Sequence, residues 1–261
     1  MLRSLSTAAT GMIAQQMNID VIANNVANVN TSGFKKVRAE FQELLSQQLK
    51  SPGAFTDQGT TQPVGIAIGL GTKTSATTRN FTPGTMQATG GKFDIAIEGD
   101  GFFQIQLSDG SLAYTRDGNF KVDANGQLTT TDGSLLQPAI SIPQDAVEVT
   151  ITPDGRVSVK TGTDINLTET GQIQPVRFLN PAGLTSIGRN LFKETNASGT
   201  PFEGIAGQDG FGTIQQGFVE GSNVQIVEEM INLIQAERAF ESNSKVVSSS
   251  NEILRQTNQL R

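Results

Sequence analysis

Apolar residues recur at seven-residue intervals near both ends of this chain. At the N-terminus Leu5, Met12, Ile19 and Val26 form one line, with Ala8, Ile22 and Val29 three positions behind; Gln15 alone interrupts the second line. Such spacing places an apolar stripe on one face of a helix. A helix from about Ser4 to Asn30 is roughly 40 Å long, and Thr31-Ser32-Gly33 stops it. Val37, Phe41, Leu44, Leu45 and Leu49 continue as a second, shorter helical pattern before Pro52-Gly53. At the C-terminus Ile226, Leu233, Phe240, Val247 and Leu254 keep the seven-residue period, widened at the start by Val227, Met230, Ile231 and Ile234. Ser222 with Gln225 three positions on has the form of a capping box. A helix from there to the end is roughly 55 Å long.

Between these ends the pattern changes. The chain has nine prolines, all between Pro52 and Pro201, and only Gly11 and Gly33 of its 28 glycines lie outside Gly53 to Gly221. Asp109-Gly110, Asp117-Gly118, Asn125-Gly126 and Asp132-Gly133 are turn dipeptides that separate short apolar runs such as 102–107 and 112–115, which predicts a β meander. Asp154-Gly155 turns a further pair of strands, 147–152 and 156–160, and 172–178 reads as another strand. Residues 50–78 are rich in Gly, Thr, Ser and Gln and read as an extended arm or long loop. The expected fold is α+β: long N- and C-terminal helices pairing as a coiled coil, with a mainly β middle domain. The expected divisions are 1–50 with 222–261 as a helical assembly domain, 51–80 as an arm or connector, and 81–221 as a β-rich outer domain.

Charge sharpens this picture. The first 30 residues carry only Arg3 and Asp20, the remaining polar positions being Ser, Thr, Asn and Gln. Solvated helix faces usually carry Lys and Glu, whereas amides and hydroxyls can be buried once hydrogen-bonded. Helices of this composition are marginal alone and gain order from packing. The stripe residues Leu5, Met12, Ile19, Ile22, Val26, Val29, Ile226, Met230, Leu233, Phe240, Val247 and Leu254 are therefore the expected assembly interface. The net charge of −6, with no Lys/Arg run beyond Lys35-Lys36, argues against a nucleic-acid partner.

Catalytic chemistry finds little support. The chain has no cysteine and no histidine, which removes thiolate chemistry and the commonest general base and metal ligand. Gly65 to Thr74 superficially resembles a phosphate-cradling loop but lacks the adjacent Gly-Lys-Ser/Thr. Asp117, Asn119, Asp123 and Asn125 fit neither the spacing nor the terminal Glu of a calcium loop. Glu98 and Asp100 are a carboxylate pair, but a Gly-flanked turn entering the next strand explains them better, and nothing singles them out from any other two acids. No catalytic, cofactor-binding or metal-ligating residue is assigned. Arg3 is followed by Ser4, Ser6, Thr7, Thr10 and Gly11, so no cleaved signal peptide is expected.

The stretch from Asp20 to Lys35, with Asn24, Asn25, Asn28, Asn30, Gly33 and Phe34, resembles the signature of bacterial flagellar rod and hook proteins. Glu220-Gly-Ser222-Asn223-Val224, followed by 229–234 and 236–241, resembles the matching signature at the other end, and 97–103, 114–120 and 180–184 also look like that family. Phe240 stands where the family often has Tyr. Within the family the length, the 175–184 stretch, 190–192 and the arm after Pro52 look most like subunits of the distal rod. A proximal rod or short hook subunit is the alternative within the family, and a secreted polysaccharide-cleaving enzyme is the alternative outside it. The resemblance implies a structural subunit without cofactor, exported unfolded by the flagellar type III export apparatus. It implies helical polymerisation with itself into a hollow shaft crossing the periplasm, and contacts with other flagellar rod proteins, the hook protein and the P- and L-ring proteins. It also implies that the arm, 51–78, helps to make the rod straight and stiff.

Overall fold

The computed structural model describes residues 2–50, 64–162 and 167–259. These form two compact units, one of residues 1–27, 37–78 and 225–261, the other of residues 28–36 and 79–224. Within the described residues, no helix is long and apolar enough to cross a membrane.

The first unit contains helix α1 (Leu2–Ala27) and helix α2 (Ile226–Gln259), 26 and 34 residues long. They span about 39 Å and 51 Å at 1.5 Å rise per residue. They run antiparallel: Asn25 of α1 hydrogen-bonds Glu229 of α2, and a β-carbon at Gly11 would lie 2.9 Å from the amide of Asn243. The fourteen residues between the contacts on one helix match fourteen on the other. α1 ends three residues before the expected Asn30, as Asn28 accepts a turn hydrogen bond from Thr31 and Gly33 enters the left-handed region at φ +68°. The expected capping box does not form. The Ser222 hydroxyl accepts the Val224 amide (3.3 Å), and α2 starts at Ile226 with the Gln225 carbonyl taking the Glu229 amide.

Residues 37–43 and 47–50 are strands, in place of the expected second helix. Val37–Glu43 pairs with Thr72–Arg79, and Gln47–Lys50 pairs antiparallel with Ile66–Ile68. Val37, Ala39 and Phe41 fit a period of two as well as Val37, Phe41 and Leu44 fit a helix, and pairing with a distant Thr-rich strand decides between them. The expected arm is therefore partly regular, its returning half forming the partner strands; residues 51–63 of it lie outside the described residues. The turn before Thr72 rests on α1: Gly71 has φ +111°, and a β-carbon there would come 2.2 Å from the Thr10 hydroxyl.

The second unit is β-rich, as expected. Its largest sheet orders the strands Thr185–Gly188, Leu191–Lys193, Leu112–Thr115, Phe103–Gln106, Leu135–Gln137, Leu128–Thr130 and Phe120–Val122, all antiparallel. This is not one continuous meander, since Leu112–Thr115 and Phe120–Val122 are consecutive in the chain and far apart in the sheet. Asp117-Gly118 is the reason. The other four turn dipeptides place glycine at φ between +80° and +84°, whereas Gly118 makes a close crossing: its carbonyl accepts the Ile95 amide (3.0 Å), and a β-carbon would sit 1.6 Å from the Ile95 oxygen. A second sheet contains Ala146–Ile151, Arg156–Thr161 and Thr168–Gln172. The expected strand 172–178 is split, resuming at Val176–Arg177 after Pro175, which has no amide to donate.

Successive residues in the main sheet alternate between two apolar clusters. Phe103, Ala113 and Leu191 enter a large core with Ile95, Phe120, Leu128 and Val157; their neighbours Phe102, Tyr114 and Phe192 enter an aromatic cluster with Val176 and Phe178. The rings meet edge to face, Tyr114 on Phe178 at 4.7 Å and Phe103 on Phe120 at 5.2 Å. The centre of the sheet is thus covered on both sides. Burial, aided by Glu194 and Glu203, pushes the Tyr114 phenol up from 10.0 to about 12. A phenol whose folded value is raised stabilises the fold fully below pH 10 and ceases to do so as pH climbs toward 12. Tyr114 is the chain's one tyrosine, so its ultraviolet titration should report a midpoint near 12 that coincides with loss of β structure, and Tyr114→Phe should weaken the alkaline decline in stability.

Candidate assembly site

The seam of the helix pair is built from two kinds of line. Of the expected apolar residues, Ile22 is buried, and Leu5, Met12, Ile19, Val26, Leu233, Phe240, Val247 and Leu254 are half-buried. Interleaved with them on α2 is a second seven-residue line of Glu229, Ala236, Asn243 and Ser250, of which Glu229, Ala236 and Ser250 are buried. Its counterpart on α1 is Gly11, Asn18 and Asn25. These small and polar positions carry no hydrophobic signal, so the sequence pattern does not display them; the spacing by sevens is their one trace. Val29 lies past the end of α1 and takes no part in its stripe.

The first turns of α2 are different. Ile226, Val227, Met230, Ile231 and Ile234 are all exposed, Val227 to 73 %. Spaced at four and one, they form two adjacent rows on one face of the helix. On α1, Ile13 and Met17 are likewise exposed. Apolar rows this continuous are unusual on a helix surface in water.

The signature residues have a different task. Asn25 is buried, and its carboxamide pairs with the backbone of Val37 in both directions: the amide donates to the Val37 carbonyl (2.8 Å), and the oxygen accepts the Val37 amide (2.9 Å). In the second unit, Asn223 accepts the Lys36 amide (2.7 Å) and donates to the carbonyls of Asn80 and Thr82 (2.9 and 3.1 Å). Phe34, Ser222 and Val224 are buried there. Gly33 donates its amide to the Glu220 carbonyl (2.8 Å), and its left-handed backbone lies so close to Arg116-Asp117 that a β-carbon would be 2.6 Å from the Asp117 amide. Asn24 and Asn30 are exposed, and Asn28 is half-buried in the turn after α1.

An ionic node joins these segments. The Glu220 carboxylate sits between the Lys35 ammonium (2.6 Å) and the Arg116 guanidinium (3.3 Å), with side-chain exposures of 1 %, 0 % and 2 %. It also accepts the Gly84 amide (2.8 Å); Lys35 donates to the Thr82 carbonyl (2.8 Å) and Arg116 to the Gly99 carbonyl (2.8 Å), its guanidinium lying over the Phe102 ring. Burial lowers the proton affinity of both cations despite the pull of Glu220. Each member stands in one of the family-like stretches, but nothing in the sequence pairs them across 104 and 185 residues.

The motifs considered for chemistry are dispersed. Glu98 and Asp100 are both exposed, with Glu98 accepting a hydrogen bond from Gln215. Asp117 accepts from Asn119, and Asp123 from Asn125, within separate turns. Among the described residues no three Asp or Glu side chains converge as a metal site would require. Lys73 lies in the Thr72–Arg79 strand rather than at a helix start. Removing the one anion from between two buried cations is costly: Glu220→Gln should destabilise the second unit by about 3–5 kcal/mol, read by urea denaturation with the Tyr114 signal as probe.

Comparison with known proteins agrees with this geometry. Residues 5–35 match the family model for flagella basal body rod proteins, 96–159 that for the flagellar hook protein FlgE/F/G D1 domain, and 215–260 that for the flagellar basal body rod FlgEFG protein C-terminal region. The flagellar basal-body rod protein FlgG of Borreliella burgdorferi is 50 % identical over 100 % of this chain and 99 % of its own, and that of Caulobacter vibrioides is 46 % identical over the whole of both. The flagellar hook protein FlgE of Helicobacter pylori is 36 % identical over 78 % of this chain but only 30 % of its own length. Helices at both ends, signature residues closing the intervening β unit and full-length similarity place the chain in the family of flagellar basal-body rod proteins, on its FlgG branch.

Proposed function

We propose that this chain is the structural subunit of the flagellar distal rod, and that it polymerises helically through the outward faces of its paired terminal helices. The observation that carries this is the exposed apolar face of Ile226, Val227, Met230, Ile231 and Ile234. Those side chains gain about 1.5–3 kcal/mol each on burial, and a second copy offers the same kind of surface. The alternation of four and three between buried or half-buried positions on α2 supports a coiled-coil reading of the pair. Full-length similarity to rod proteins, against partial coverage of a much longer hook protein, supports a rod subunit over a hook subunit.

On this reading the polymer is a hollow drive shaft that carries torque through the periplasm to the hook protein and turns within the P- and L-ring proteins. The subunit reaches it through the flagellar type III export apparatus, and performs no catalysis. The arm, 51–78, supports the stiffness of the shaft.

The exposed rows separate assembly from folding. Ile231→Asp should leave helix content and the β unit unchanged while raising the concentration needed for polymerisation about 10- to 100-fold, the equivalent of one lost buried side chain. Leu233→Asp, at a half-buried seam position, should also lower helix content by circular dichroism. Sedimentation and electron microscopy of concentrated protein measure the first effect; unchanged polymerisation of the Ile231 variant would remove this face from the interface.

A further inference from the structure

An apolar stripe that repeats every seven residues does not choose the register of α1 and α2. Because both seams repeat every seven residues, sliding α2 by seven brings Phe240 to the place of Leu233 and Val247 to that of Phe240, apolar for apolar. The small line is almost as tolerant, with Ala236, Asn243 and Ser250 all compact. Glu229 is the exception.

We infer that Asn25, Val37 and Glu229 form the register key of the helix pair. Asn25 is 1 % exposed and Glu229 also 1 %. The two-way bond of Asn25 with the Val37 backbone fixes the plane of its carboxamide, so the nitrogen gives one hydrogen to the Val37 carbonyl and directs the other at Glu229 Oε2 (3.0 Å). The donor is thus aimed by a residue outside both helices and accepts one partner position. A slide of seven residues one way would set Ala236 opposite Asn25, and the other way would leave Asn25 facing a position before the start of α2; either takes the Glu229 acceptor from its aimed donor, which the fold resists far more than an apolar exchange. Polar contacts buried in an otherwise apolar helix seam are known to specify register at the expense of stability. Here the contact lies in the first turn of α2, beside the exposed row of Ile226 to Ile234, so the register also determines where that row stands on the unit. Asn25 and Glu229 act as positioning residues.

The chain has no cysteine, which makes register directly measurable in the full-length protein by disulfide trapping. Gly11→Cys with Asn243→Cys reports the native register; Gly11→Cys with Ser250→Cys, or with Ala236→Cys, reports a slide of seven in either direction. In the parent sequence the first pair should cross-link and the others should not. Glu229→Leu should raise the ratio of slid to native cross-links at least about tenfold, the effect of one lost buried polar contact. Asn25→Leu should do the same, and Glu229→Gln, whose oxygen still accepts, should keep the native pattern. Native cross-linking alone in both leucine variants would overturn the proposal. So would loss of every cross-link together with helix content, which would assign the node to stability instead of register.

Discussion

A carboxylate held out of water between two cations is the constraint on which the second unit depends. Glu220 arrives from the C-terminal part of the chain, Lys35 from the N-terminal part and Arg116 from the middle, so the node is complete only when all three segments are in place. A buried pair of this kind adds little net stability compared with apolar packing, but a partly assembled one is severely penalised. It acts as a check on completeness. Around it the neutral signature residues do the same in weaker form: Asn223 bridges Lys36, Asn80 and Thr82, and Gly33 allows a backbone approach that no side chain would tolerate.

The two units divide the physical work. In the β unit, burial is nearly complete at the centre, with aromatic rings packed on both sides of one sheet. The helical unit instead leaves large aliphatic side chains in water, on α2 above all. A monomer organised in this way is stable where it is closed and incomplete where it is open. The scarcity of charge along α1 belongs to the same logic: Asn and Thr side chains take partners within the unit, as Asn25 does with Val37 and Glu229, and Thr10 does with the Gly71 turn.

The α+β class, the helices at both ends, the hairpins at Asp109-Gly110, Asn125-Gly126, Asp132-Gly133 and Asp154-Gly155, and the family were legible because each rests on local spacing or on motif. The failures were failures of local information. Residues 37–49 carry a pattern that suits helix or strand, and only a strand arriving from 72–79 decides it. Gly118 looks like its neighbours in sequence yet serves a crossing with Ile95 rather than a hairpin. The apolar lines of the helices were visible, whereas the polar line through Asn25, Glu229 and Asn243 was not, because its meaning lies in what stands opposite. The ion pairs of Glu220 were hidden for the same reason.

The antiparallel alignment of α1 and α2 also has a mechanical meaning. Force applied along the common axis of two helices lying side by side loads all the contacts of the seam together, so they yield as a group. Force that peels one helix from the other breaks them one after another, beginning at an end. A helix pair joined along its length therefore resists pulling along its axis better than prying at its tips, where Asn25 and Glu229 fasten one end.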